Sequence, residues 1–194
     1  MRDQKMRYMR SGWMAVLGML LMVSAPVLGM ARQSNSKAEL NTTQTRSVLA
    51  EKVRHELVML PWYSLFDNLQ FQIEGNHEVI LEGQVVRPVL KSDAENVVKR
   101  IEGVTLVVNN IKVLPLSPND DRIRIAAYRA IYFQPGMWKY RMQAVPPIHI
   151  IVDNGHITLV GVVGSQMDKT LAYMAAERVP GAFTVTDDLQ VKAG

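Results

Sequence analysis

Histidine is the side chain most readily turned to metal binding or acid–base work near neutral pH, and the 194-residue chain carries four, His55, His77, His149 and His156. Two of them flank Asp153-Asn154-Gly155, which predicts a hairpin turning at Asn154-Gly155. On that hairpin His156 pairs with Asp153 and His149 lies near Val160, so the imidazoles are not cross-strand neighbours and no metal site is expected. The chain has no cysteine, which removes a thiol nucleophile, a disulfide framework and an acylated N-terminal cysteine together. No serine stands in a Gly-x-Ser-x-Gly elbow. Gly161-Val162-Val163-Gly164 spells the GxxG of nucleic-acid-clamping loops, but it closes a strand and has no basic residue, so it reads as close backbone packing. The spacing places no pair of catalytic groups, and the expectation is a non-enzymatic protein without cofactor or metal.

The elements that hold these residues repeat. Glu78-Val79-Ile80-Leu81-Glu82-Gly83, Ile101-Glu102-Gly103-Val104 and Asn110-Ile111-Lys112-Val113 return as His156-Ile157-Thr158-Leu159-Val160-Gly161, Val179-Pro180-Gly181-Ala182 and Asp188-Leu189-Gln190-Val191, each 78 residues later. Three coincident spacings mean a duplicated domain. In the second copy Ile150 and Val152, then Ile157, Leu159 and Val163, alternate about the Asn-Gly turn; in the first, Phe71 and Ile73 lead to Val79, Leu81 and Val85 across the longer Gly75-Asn76-His77.

Leu90, Ala94, Val97, Val98 and Ile101 then fall at helical spacing, as do Ala172, Ala175, Ala176 and Val179. Ser165 with Asp168 resembles a capping box, and Gly103 and Gly181 stand where a helix would end in a left-handed residue. Each hairpin is also preceded by a helix: Ala50, Val53, Leu57 and Leu60 form one apolar stripe, and Ile123, Ala127, Ala130 and Ile131 the other, with Asp120 or Asp121 as its cap. The fold class is α+β, two tandem αββαβ two-layer domains over residues 47–114 and 119–192. Gly83 and Gly161 are expected at equivalent strand positions, and Gly103 and Gly181 at equivalent helix ends.

The copies differ in two places that bear on binding. Away from its helices the first hairpin presents Gln70, Gln72, Glu74, Glu82 and Gln84, whereas the second presents His149, Ile151, Thr158, Val160 and Val162. An apolar sheet face marks a partner surface, whether the sister domain, another subunit or a lipid, with protein contact preferred. The second copy also carries an insertion around Met137 to Pro147 that includes Trp138, Lys139, Tyr140 and Arg141. Aromatic rings beside cations suit a lipid headgroup boundary, while the plainer reading has the rings cover helix ends. The candidate contact residues are Trp138, Lys139, Tyr140, Arg141, Ile151, Val160 and Val162.

At the N-terminus Arg2, Lys5, Arg7 and Arg10 precede an uncharged stretch from Ser11 to Ala31. A basic region, a short apolar core and Gly29-Met30-Ala31 fit a signal peptide over residues 1–31, cleaved after Ala31; the alternative is a retained anchor. Residues 32–46 then form a flexible leader. Removing the signal takes four of the 22 basic and one of the 18 acidic residues, which leaves a net charge of only +1 and no general attraction for nucleic acid.

The quoted segments resemble the BON domain, named for bacterial osmotically inducible and nodulation proteins. Its Val-Arg-x-x-Leu element is similar to Val53-Arg54-His55-Glu56-Leu57, its Val-x-Leu-x-Gly strand to Val79-Ile80-Leu81-Glu82-Gly83 and Ile157-Thr158-Leu159-Val160-Gly161, and its Gly-Val to Gly103-Val104. The second copy departs at Ala182 and Asp188. The resemblance implies a periplasmic protein that maintains the cell envelope through membrane phospholipid or an envelope protein, and it supplies no catalytic residues. The other expectation is a periplasmic chaperone or adaptor that holds protein clients on the apolar sheet face of the second domain.

Overall fold

The computed structural model describes residues 30–143 and 146–192, with side chains from residue 43 onward. The signal segment expected over residues 1–31 lies almost wholly outside the described residues. Both repeats belong to one compact unit, Asn41–Gly194.

The first repeat comprises α1 (Met30–Val58), β1 (Asn68–Glu74), β2 (Glu78–Val85), α2 (Pro88–Lys99), β3 (Leu106–Asn109) and β4 (Lys112–Val113). The second comprises α3 (Pro118–Tyr132), a short α4 (Trp138–Arg141), β5 (Ile148–Asp153), β6 (His156–Val163), α5 (Gln166–Glu177) and β7 (Thr184–Val191). Residues 32–46, expected as a leader, are drawn into α1, because no glycine or proline interrupts the chain between Met30 and Leu60.

In each sheet the second strand of the hairpin is central, antiparallel to its hairpin partner and parallel to the closing strand. Leu49, Val53 and Leu57 of α1 pack with Leu90, Ala94 and Val98 of α2 on Val79, Leu81 and Val85. Ile123, Ala127 and Ile131 of α3 pack with Ala172 and Ala176 of α5 on Ile157, Leu159 and Val163. The closing strand is continuous in the second copy but broken in the first. There the Asn109 amide turns to Lys91 O and Glu95, its oxygen accepts from Ile111 N, and β3 ends before β4 begins.

Gly83 and Gly161 are structural equivalents, with φ of 108° and 133°. A Cβ would stand 2.0 Å from Asn68 O at the first and 1.9 Å from Pro147 O at the second, so the hairpin partner passes too close for any side chain. Gly103 and Gly181 are also equivalent, at φ of 98° and 87°, but they are not helix caps. The helices end at Arg100 and Arg178, and each glycine is third in a following turn closed by Val104 N to Ile101 O or Ala182 N to Val179 O, a place that favours positive φ.

Two expected caps are corrected. Ser117, not Asp120 or Asp121, caps α3, accepting from Asp120 N with Pro118 in the first turn. This frees Asp120, 1% exposed, to accept from Asn154 N at 3.0 Å and Gly155 N at 2.8 Å and so to close the β5–β6 turn. Ser165 does cap α5, but the Asp168 carboxylate reaches the insertion instead of completing a box.

Candidate functional site

The insertion forms after Pro135-Gly136, where Gly136 takes φ of 89° and redirects the chain into α4. Four residues give little more than one turn, so side chains three apart share a face. Met137 and Tyr140 turn inward and are buried, while Trp138 (63% exposed), Lys139, Arg141 and Met142 turn outward. Tyr140 is therefore removed from the expected contact set: its ring fills the core and its hydroxyl donates to Asp168 Oδ2 at 2.7 Å while accepting from Gly164 N at 2.7 Å. Burial raises the Tyr140 pKa and keeps the phenol protonated.

Asp168 fastens this segment to α5. Burial alone pushes its carboxyl up, but hydrogen bonds from Lys139, Tyr140 and Ser165 outweigh that and hold it below the usual carboxylate range. Lys139 is thus committed to Asp168 at 2.8 Å, and the bond raises the ammonium's pKa in turn. Arg141 lies with its guanidinium carbon 4.4 Å from the centroid of Phe133, itself exposed at the end of α3. With Lys139 held by Asp168, the outward apolar and cationic groups left here are Trp138, Arg141 and Met142 of the insertion and the neighbouring Phe133. Sequence reasoning missed Phe133 and Met142; Met142 stands four residues from Trp138, a helical spacing that was readable.

The apolar sheet face of the second copy is turned toward the first copy. His149, Ile151 and Asp153 alternate onto one side of β5. His149 stacks on Tyr63 with ring centroids 5.7 Å apart, and Asp153 pairs with Lys112. Ile151, between those contacts, is 4% exposed and is sealed inside the chain. Thr158, Val160, Asp188 and Gln190 share a cleft of about 450 Å³ with Asn68, Gln70, Glu82 and Gln84, so the two open faces oppose one another. Of the expected apolar contacts, Val162 alone remains exposed. A client-holding face on the second sheet therefore loses its central residue, and the sister domain is the partner of that face.

The loop that makes these contacts was not singled out from the sequence. Leu65 and Phe66 pack on the second core, Leu65 O accepts from Ile150 N at 2.8 Å, and buried Asp67 accepts from Ser64 N, Ser64 Oγ and Val86 N. Burial pushes the Tyr63 phenol up to about 12, with the Asp67 charge adding to it. The same burial lowers the His149 pKa, and its Nδ1 is enclosed without a hydrogen-bond partner. Among the described residues no three His, Asp or Glu side chains gather to hold a metal ion.

The BON domain matches the chain over residues 45–115 and 139–193. The second match begins within α4, although α3 packs on the same sheet and supplies Ile123, Ala127 and Ile131 to its core. No curated protein matches. Two solved structures of CdsD, the structural protein of the type III secretion system of Chlamydia trachomatis, are similar at 13% identity over 75% of this chain. The C-terminal domain aligns over 98% of its length with a TM-score of 0.30, and the second structure over 93% with 0.29.

Proposed function

Because the chain belongs to the BON domain family and carries two tandem BON domains, we propose that it is an exported, non-enzymatic periplasmic protein that supports the cell envelope by contacting membrane phospholipid or an envelope protein. The observation that carries the lipid reading is the exposed cluster at the end of α3 and on α4. Trp138, Phe133 and Met142 offer apolar surface, and Arg141, stacked on Phe133, offers the cation. Rings beside cations partition to the headgroup boundary, where the ring is half desolvated and the cation meets lipid phosphate. Asp168 supports the reading by holding α4 in place, so presenting the cluster requires no ordering on contact.

Co-sedimentation of the chain from Arg32 onward with phosphatidylglycerol vesicles tests it. The protein should pellet with vesicles, less so as salt rises, and Trp138→Ala with Met142→Ala should weaken the association at an unchanged melting midpoint. A parent that stays in the supernatant at low salt, or a variant that pellets like the parent, removes the lipid reading.

A further inference from the structure

The outer strands of the two sheets hold the same register on their central partners. Leu69 faces Gly83 and Phe71 faces Leu81 in the first copy, as Ile148 faces Gly161 and Ile150 faces Leu159 in the second. Phe71 is therefore the counterpart of Ile150. Pro61 and Pro135 align the helices, each followed by a residue at positive φ, Trp62 at 70° and Gly136 at 89°. Ala50, Arg54, Leu57 and Val58 of α1 then correspond to Arg124, Tyr128, Ile131 and Tyr132 of α3.

In the second copy the trough between α3 and β5 is filled from within the chain. Leu65 and Phe66 pack on that core, Leu65 O accepts from Ile150 N, and Ile148, Ile150 and Val152 are wholly buried. In the first copy the same trough is a groove of about 440 Å³, lined by Ala50, Arg54, Leu57 and Val58 of α1 and by Leu69 and Phe71 of β1. Among the described residues no counterpart of the Leu65 bond reaches Phe71 N. Leu69, Phe71 and Ile73 stay half-buried, and Val58 is 37% exposed where Tyr132 is fully enclosed. β1 is an outer strand without lysine, proline or bulge, so none of the usual devices keeps a partner off its border. An apolar trough beside a free strand border is a docking surface for polypeptide.

The second copy displays the chemistry of an occupant: an aliphatic residue followed by an aromatic one, on a turn that Asp67 closes by accepting from Ser64 N and Oγ. Leu-Phe occurs once in the chain, and at the same count before β5 stands Ala144-Val145, so a second copy has no equivalent segment to offer. Arg54, where the second copy has Tyr128, adds a cation to the rim and favours an acidic residue beside the apolar pair. We propose that the α1–β1 groove binds a turn of another protein that carries an adjacent aliphatic–aromatic pair flanked by an acid, with a carbonyl on Phe71 N and the acid on Arg54. The groove shares no residue with the α4 cluster, so its occupancy is independent of vesicle association.

The probe is the blocked peptide of residues 63–68, Tyr-Ser-Leu-Phe-Asp-Asn, titrated into the 15N-labelled chain from Arg32 onward, with a control peptide bearing Ser in place of Leu and Phe. The first peptide should shift the Phe71 amide resonance to saturation, and the control should bind about tenfold more weakly or not at all. Ala50→Trp fills the groove from α1 and should weaken binding about tenfold at an unchanged melting midpoint. Arg54→Glu, at an exposed position that does not threaten folding, should weaken it about threefold. A silent Phe71, a control that binds equally, or Arg54→Glu binding like the parent overturns the proposal. A shift at Ile150 alone, which would mean displacement of the chain's own Leu65 and Phe66, also overturns it, as does a Phe71 shift on concentrating the protein without peptide, which would give the groove to a second copy.

Discussion

The carboxylate of Asp120 stands 2.8 Å from the amide nitrogen of Gly155, so a side chain at the start of α3 closes the β5–β6 turn 35 residues away. A charged acceptor serving two turn amides has no replacement when truncated. Asp120→Ala should lose about 2–4 kcal/mol by urea unfolding, the cost of leaving enclosed donors unsatisfied. A loss below about 0.5 kcal/mol, ordinary for a surface site, would refute the role.

The four repeat glycines should separate into two classes. At Gly103 and Gly181 a Cβ meets nothing nearer than 3.8 Å, so substitution by Ala incurs backbone strain alone, about 1–2 kcal/mol. At Gly83 and Gly161 the Cβ also collides with a carbonyl oxygen, and Ala should cost about 3 kcal/mol or more. Equal losses in the four variants, measured by thermal melting, would contradict the close approach.

Tyr140→Phe strips a hydrogen bond from Asp168 and another from Gly164 N, and should cost about 1–3 kcal/mol with the ring still packed. It should also change the acid limb. The folded pKa of Asp168 is depressed, so its contribution is present above the unfolded value near 3.8 and is lost as pH falls through the lower folded value. Midpoints followed from pH 5 downward should fall less in the variant, with its weaker hold on the carboxylate, than in the parent.

His149 sets a second window, of the opposite charge type. Burial lowers its pKa, so the unfolded chain takes up the proton first and stability declines as pH drops below about 6.5, levelling beneath the folded value. His149→Phe keeps a ring against Tyr63 and removes the titration. Between pH 7 and 5 the parent should lose denaturant resistance that the variant retains, and parallel curves would show that the imidazole does not titrate against the interface.

The fold was legible because its signals are local and doubled. The Asn154-Gly155 turn, the alternation about Val79 and Leu159 and the 78-residue offset of Gly83 and Gly161 each constrain backbone within a few residues. What escaped depends on contacts across the chain. Tyr140 and Trp138 look alike in sequence, and only Asp168, 28 residues on, selects which ring turns inward. The apolar face of β5 was visible, but its cover comes from the Pro61–Asp67 loop, which has no periodicity to announce it. Trp62 was readable in principle as the counterpart of Gly136, but only once positive φ is known at both.

β5 is the outer strand of its sheet, and the bond from Ile150 N to Leu65 O places a piece of the first copy along that border. Unguarded strand borders are where chains zip together into aggregates. Synthesis delivers the N-terminal half first, so the guard is made before the strand that needs it. The duplication thereby acquires an order of dependence, with the first copy serving as a built-in escort for the second and a separated second half left prone to self-association.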